Sequence, residues 1–460
     1  MKIIVLNGSP KGEESITLHY AKFIQKKYPN HEYEIENISQ QIKQIEKNES
    51  VFNKIIEKIK QADAVLWTVP LYVYLVPAQY KRFIELIFER KAQDAFKDKY
   101  TAVITTSIHF YDHTAHNYMR AICEDLKMKY TEFISASMSS LLKKEGQNEL
   151  LLFAENFFNS IENNLPVTHY YPPLKHSNFQ YKPEELKNKI STAGKKILLL
   201  TDSSNPETNL AKMTEQFKAN FSVEIEEVNI HALDIKGGCL GCIHCGYDNT
   251  CIYDGKDEFN EFFDSKLKTA DIIVYAAEIK DRFLSARWKM FIDRSFYNNH
   301  TPVLSGKQLV YLLSGPLSQI PDIRQIFEAW AQIQRANLVD FVSDEYNDST
   351  ELDMIISATA QKTIRYAKQN LKREDNFLGV AGMNIFRDDI YGPLRFPFVA
   401  DYKAYKKLGI FNSRHTKFKI KMQNFIMYLL IKFPKIRSEI YKKQMISQMV
   451  KPVKKLLEDI

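Results

Sequence analysis

The chain lacks the marks of several special classes of protein. Its 460 residues include only 15 Gly and 16 Pro, too few for a disordered or collagen-like chain. No apolar run reaches the roughly 18 residues that a bilayer span requires. The opening MKIIVLNGSP turns polar too soon for a secretory signal, so a cytoplasmic protein is expected. Five cysteines in a chain of this length cannot form a disulfide framework. Acidic residues are scarce in one region: residues 401–460 hold 15 Lys or Arg against 4 Asp or Glu, a net +11, so the rest of this +7 chain sums to −4. The excess charge belongs to the tail, and no nucleic-acid-binding motif accompanies it.

What is present is a duplication, in a chain too long for a single core of about 100–200 residues. MKIIVLNGSP and KKILLLTDSS (195–204) both read as a basic start, an apolar strand and a small polar turn. Each is followed by a pattern of helical spacing, TLHYAKFIQKKY and TNLAKMTEQFKANF, and then by an alternating strand, YEIENI and VEIEEVNI. ADAVLWTVPLYVYLVPAQYKRFIELIF (62–88) aligns without a gap on ADIIVYAAEIKDRFLSARWKMFIDRSF (270–296), and YTAVITTS pairs with QLVYLLSG. The order strand, helix, strand, helix, strand predicts α/β units with doubly wound parallel sheets and helices on both faces. The expected layout is a first domain over 1–163, a Pro- and Asn-rich linker over 164–194, a second domain over 195–372 and a basic helical extension over 373–460. An amphipathic pattern around Pro434 suggests either helices packed over the domains or peripheral membrane contact.

The offset between copies is 194 at the first strand and 208 after the insertion, and the extra residues fall where GGCLGCIHCGYDNTC (237–251) occupies only the second copy. Cys239, Cys242, Cys245 and Cys251 read C-x2-C-x2-C-x5-C. Three thiolates at steps of three can hold three corners of a cubane, and a fourth can close it; a structural zinc takes the same donors. Cys123 lies in a helical pattern and reads as a buried thiol.

In the first copy the turn LNGSPKGEESIT offers Gly8, Ser9, Lys11, Ser15 and Thr17 at a helix start, a combination suited to phosphate or to a Ser-rich cap. After the third strand, Pro70 and Pro77 bracket Tyr72 and Tyr74 in a stiff loop able to flank a flat ring. The loop TTSIHFYDHTAH (105–116) holds three histidines that could be read as metal ligands, but their irregular spacing favours a wall for substrate.

These residues resemble the flavodoxin-like NADPH-dependent FMN reductases and the related iron-sulfur flavoproteins. The resemblance implies tandem flavodoxin-like domains. It implies FMN phosphate at Ser9, Lys11, Ser15, Ile16 and Thr17, and the flavin ring at Pro70, Leu71, Tyr72, Val73 and Tyr74. Further contacts would come from Thr106 and Ser107, with His109 or Tyr111 as proton donor. The four loop cysteines would hold a 4Fe-4S cluster. The second copy departs from the pattern: LTDSSNPETNL lacks Gly-Ser-Pro, although Ser203, Ser204, Thr208 and Asn209 could still meet a phosphate, and Glu278 and Lys280 replace Pro70 and Tyr72. The implied function is an oxidoreductase passing electrons between NAD(P)H or ferredoxin, FMN and the cluster to a quinone, a nitro or enone compound, or oxygen. The alternative is an electron carrier to a partner protein. A homodimer is also compatible.

Overall fold

The structure is a computed structural model that describes the backbone of residues 1–186, 188–411 and 418–459, and the side chains of all these but 418 and 419. Of the basic tail, 412–417 and 460 lie outside the described residues, as does 187 of the linker.

The chain divides into two compact units: Met1–Pro173 with Gly238–His244 and Lys421–Ile460, and Leu174–Gly237 with Cys245–Ile420. The first carries β1 (Lys2–Asn7), α1 (Ile16–Lys27), β2 (Glu32–Glu36), α2 (Ile38–Lys47), α3 (Glu49–Gln61), β3 (Ala64–Pro70), α4 (Ala78–Glu89), β4 (Tyr100–Ser107), α5 (Asp112–Asp125), β5 (Lys129–Ser137) and α6 (Lys144–Glu162). The second carries β6 (Ile197–Thr201), α7 (Asn209–Ala219), β7 (Glu226–Asn229), α8 (Phe259–Phe262), β8 (Ile272–Glu278), α9 (Ala286–Arg294), β9 (Gln308–Ser314), α10 (Pro321–Ile333), β10 (Asn337–Ser343) and α11 (Ser349–Lys368). Among the described residues five more helices follow: α12 (Phe377–Tyr391), α13 (Val399–Lys407), α14 (Phe418–Leu430), α15 (Pro434–Glu439) and α16 (Met445–Glu458).

Both sheets are wholly parallel, ordered β2-β1-β3-β4-β5 and β10-β9-β8-β6-β7. Read from the second strand of each copy the order is 2-1-3-4-5, that of the flavodoxin-like fold. The strands β1, β3 and β4 are buried on both faces, as a parallel sheet between helix layers requires. The repeat holds in the structure: β3 and β8 begin at 64 and 272, and α4 and α9 at 78 and 286, both 208 apart. Each of these helices buries an ion pair one turn long at matching positions, Lys81 with Glu85 and Lys289 with Asp293.

The linker is not free along its length. Tyr181 is fully buried in the second core, its hydroxyl bonds Asp353, and the Glu184 N–H donates to the same carboxylate at 2.9 Å. The tail is also divided. Asp401 of α13 accepts from the backbone and ring of His300 and from Thr301 in the second unit. In the first unit, Val450, Val453 and Leu457 of α16 join the core with Ile16, Leu18 and Phe153, and Lys454 reaches Glu14 at 2.5 Å. Packing over the domains, one of the two expectations for this segment, accounts for these contacts.

Candidate functional site

The carboxyl ends of β1, β3 and β4 gather three loops. In the first, Ser15 caps α1 by accepting from the Leu18 N–H, which leaves the first-turn N–H groups of Ile16 and Thr17 without a carbonyl of their own helix. Asn7 shapes the turn: its amide donates to the Gly12 carbonyl at 3.1 Å, and its side-chain oxygen accepts from the Ser9 N–H. Gly8 admits no side chain, because a Cβ there would stand 2.9 Å from the Tyr80 ring. Thr17 and Thr106 meet hydroxyl to hydroxyl at 2.6 Å, joining the β1 turn to the end of β4. Ser9, Ser15, Thr17 and Thr106 are all buried, a polar cradle of the kind a phosphate ester fits.

The second loop is a tight turn. Tyr72 and Leu75 exchange backbone hydrogen bonds at 2.8 and 3.1 Å, and the central residues Val73 and Tyr74 have φ of 35° and 68°. Left-handed backbone is costly for a β-branched residue, and strain of this sort concentrates where function requires a loop's shape. The third loop repeats it, with His109 and Tyr111 at φ of 61° and 53°. Thr114 holds the two together, its hydroxyl placed 2.5 Å from the Tyr74 carbonyl and 2.8 Å from that of Tyr111. Sequence reasoning passed over Thr114, since one hydroxyl in a polar loop carries no signal of a carbonyl forty residues away.

The aromatic residues divide differently from expectation. Tyr74, Phe110 and Tyr111 pack ring on ring with centroids 4.8–5.1 Å apart, and all three are buried; Tyr111 is thus part of a wall. His109 stays half exposed and sets its Nδ1 3.1 Å from Asp112, which also takes the Ser135 hydroxyl. Burial would raise the Asp112 carboxyl, but hydrogen bonds from Ser135 and His109 outweigh it and hold the group below its ordinary value.

His116 lies beneath this pair, its Nε2 3.1 Å from Thr105. Burial, and secondarily the neighbouring histidines, push it down to about 4, with Asp112 opposing. The unfolded imidazole, near 6.5, binds its proton first as pH falls. The folded state should therefore lose stability from about pH 6.5 down to pH 4, by at most about 3 kcal/mol. Urea unfolding of wild type and His116→Gln at pH 7 and 4.5 checks this: the variant should lose less stability over that interval, and equal losses would show that His116 does not titrate in this window.

The cysteine loop meets the same site from one side. Residues 238–244 cluster with the first unit. There the Gln79 amide donates to the Cys239 carbonyl at 3.1 Å, and Gly241, at φ 62°, stands where a Cβ would fall 1.9 Å from the Tyr72 hydroxyl. Burial lowers Lys11, while negative charge on Cys239 and Cys242 opposes the shift. Within the second unit, Arg294 closes the base of the loop. It makes a two-pronged contact with Asp257 at 2.6 and 3.0 Å and donates to the Gly237 carbonyl at 3.1 Å. Cys245 is buried and directs its thiol to the Asn299 side-chain oxygen at 3.3 Å.

Against the expectation of four converging thiolates, no group of three or more His, Cys, Asp or Glu is placed to hold a metal among the described residues. The donor chemistry still suits a soft metal centre. Four cysteine sulfurs fall within positions 239–251, and the Gly241 N–H lies 3.5 Å from the Cys239 sulfur, as outer-shell donors to ligating sulfur do. Cys123 is fully buried, and that burial pushes its thiol up, as expected for an inert core thiol.

In the second copy, the equivalent cleft is a cavity of about 830 Å³ whose lining includes Thr208, Asn209, Lys212, Glu278 and Lys280 with the linker residues Lys175, Ser177 and Phe179. Asn209, expected to be available for phosphate, instead donates to the Phe179 carbonyl and accepts from the Tyr181 N–H. The docked linker thus takes up the side chain that phosphate would need.

A cradle suited to a phosphate ester beside a strained aromatic loop lies at the carboxyl edge of a parallel sheet ordered 2-1-3-4-5, the order of the flavodoxin-like fold. Residues 1–139 match the family model described as NADPH-dependent FMN reductase. No curated protein matches the chain. Among solved structures, it is similar to the flavoenzyme NAD(P)H:(acceptor) oxidoreductase FerB from Paracoccus denitrificans, at 21% identity over 35% of this chain and 97% of that one, with a TM-score of 0.27. It is also similar to an NAD(P)H:quinone oxidoreductase from Methanothermobacter marburgensis, at 14% identity over 35% and 97% of the two chains and a TM-score of 0.27. A third, the general stress protein 14 in complex with FMN from Treponema denticola, shares 11% identity over 36% and 99%, with a TM-score of 0.27.

Proposed function

We propose that the chain is an FMN-dependent oxidoreductase that binds one FMN in its first unit and a 4Fe-4S cluster on Cys239, Cys242, Cys245 and Cys251, taking electrons from NAD(P)H or a ferredoxin and reducing a small acceptor such as a quinone, a nitro or enone compound, or oxygen. The observation that carries the reading is the pairing of the buried Ser9, Ser15 and Thr17 cradle with the left-handed turn at Val73 and Tyr74, on the sheet edge where such folds bind ligands. When bound, FMN supplies hydride acceptance and one-electron release.

The residues of the chain would do the remainder. Ser9, Lys11, Ser15, Ile16 and Thr17 hold the phosphate, with Lys11 balancing its charge. Pro70, Leu71, Tyr72, Val73 and Tyr74 shape the ring slot, and Thr106 and Ser107 close its far side. His109, with Nδ1 engaged by Asp112, keeps Nε2 for proton delivery to the acceptor, while Tyr111 walls the site. The linker across the second cleft supports a single flavin per chain. Among the described residues no helix is long and apolar enough to cross a membrane, and a cytoplasmic location is part of the proposal, as is assembly as a homodimer.

Anaerobic purification tests it. About one FMN and four iron per chain, with flavin bleaching by NADH or NADPH, is the expected result. Two FMN or zinc in place of iron would overturn the division between the copies. A flavin that bleaches with reduced ferredoxin alone and turns over no small acceptor would make the protein a carrier.

A further inference from the structure

The helices α14 and α15 leave an apolar stripe uncovered. Met422, Phe425, Ile426 and Leu429 recur at helical spacing on α14, Phe433 precedes α15 and Ile436 lies on it, and each is 38–61% exposed. The opposite side is engaged with protein: Asn424 and Ile431 are buried. Soluble proteins rarely leave so many large apolar side chains contiguous in water, and such a patch marks a surface made for something else.

The charge around the stripe points to the occupant. Lys432 and Lys435 are exposed within it, and Lys442 and Lys443 are exposed just beyond, in a tail of net +11 on a body that sums to −4. Bulky apolar groups in one line, bordered by exposed lysines with only Glu439 among them, form the pattern of a helix lying in the headgroup region of a bilayer. Lysine side chains can extend along the apolar surface and keep their ammonium groups at the level of the lipid phosphates. A second protein surface would have to be both apolar along this line and acidic at its rim.

We infer that the α14–α15 stripe seats the protein on an anionic membrane surface, with Phe425, Leu429 and Phe433 inserted among the headgroups and Lys432 and Lys435 on lipid phosphate. The inference stands on the exposed stripe and its charge and does not require the flavin reading. If that reading holds, a membrane-dissolved quinone becomes the natural acceptor.

Co-sedimentation of the full-length holoprotein with phosphatidylcholine vesicles containing 30% phosphatidylglycerol tests the inference, with pure phosphatidylcholine vesicles alongside. The expected result is at least tenfold stronger binding to the anionic vesicles, weakened by added salt. Phe425→Glu/Leu429→Glu and, separately, Lys432→Glu/Lys435→Glu should each lose that binding while flavin content and unfolding midpoint stay as in wild type. Equal binding to both vesicle types, no binding to either, or a dimer in solution that Phe425→Glu/Leu429→Glu dissociates would overturn it, the last by showing that a second copy covers the stripe.

Discussion

Arg294→Met should cost about 3–5 kcal/mol of stability and release the cysteine loop. The guanidinium and the Asp257 carboxylate are both essentially inaccessible to solvent, so removing the cation leaves an uncompensated buried charge, whose cost exceeds that of never having had the pair. Burial alone would raise Asp257, and it is the Arg294 hydrogen bonds, helped by the Lys236 N–H, that hold the carboxyl below its ordinary value. The Gly237 carbonyl loses its donor in the same step, so both ends of the loop are loosened at once. Chemical denaturation should show the lower midpoint, and thiol labelling of the metal-free protein should show Cys239, Cys242 and Cys251 reacting faster. The double variant Arg294→Met/Asp257→Leu should recover much of the stability. If the single variant unfolds at the wild-type midpoint, the clamp does not hold the loop.

Gly8→Val should weaken FMN retention about 10–100-fold, the cost of forcing atoms into a filled space. A Cβ at this position meets three ring carbons of Tyr80 at 2.9–3.0 Å. The ring cannot retreat, because Tyr80 is fully buried and its hydroxyl donates to the Leu6 carbonyl at 2.9 Å. The β1 turn must move instead, carrying Ser9 with it and opening the cradle. Fluorescence titration of apoprotein with FMN measures the loss. Gly8→Val/Tyr80→Leu, which removes the obstructing ring, should recover part of the affinity. Unchanged FMN affinity in the single variant would place the phosphate elsewhere. The two predictions separate the units, since Arg294 lies in the second and Gly8 in the first.

Much of the frame was legible in the sequence because it rests on local patterns. Apolar strands buried on both faces, helices at spacings of three and four, and one offset shared by β3, α4 and β4 with β8, α9 and β9 predict two parallel sheets before any contact is known. The turn after β1 was legible for the same reason: small residues, the Ser15 cap and a helix start are adjacent in the chain.

Other features depend on residues far apart in sequence. Thr114 holds two loops through carbonyls forty and three residues away. The docking of Tyr181 on Asn209 turns half of an apparent linker into part of a core and engages a polar side chain that the sequence left available. The sequence could not tell that Tyr111 would be buried while His109 stayed accessible, because both sit in one polar loop and only packing against Tyr74 and Phe110 separates them. By itself the sequence determined the duplicated strand and helix order, the cysteine spacing and the charge of the tail, all consequences of which residues neighbour one another along the chain. Only the tertiary structure decided which polar groups were already satisfied and which apolar faces were already covered, because hydrogen bonding and burial are settled by residues that meet only in the folded state.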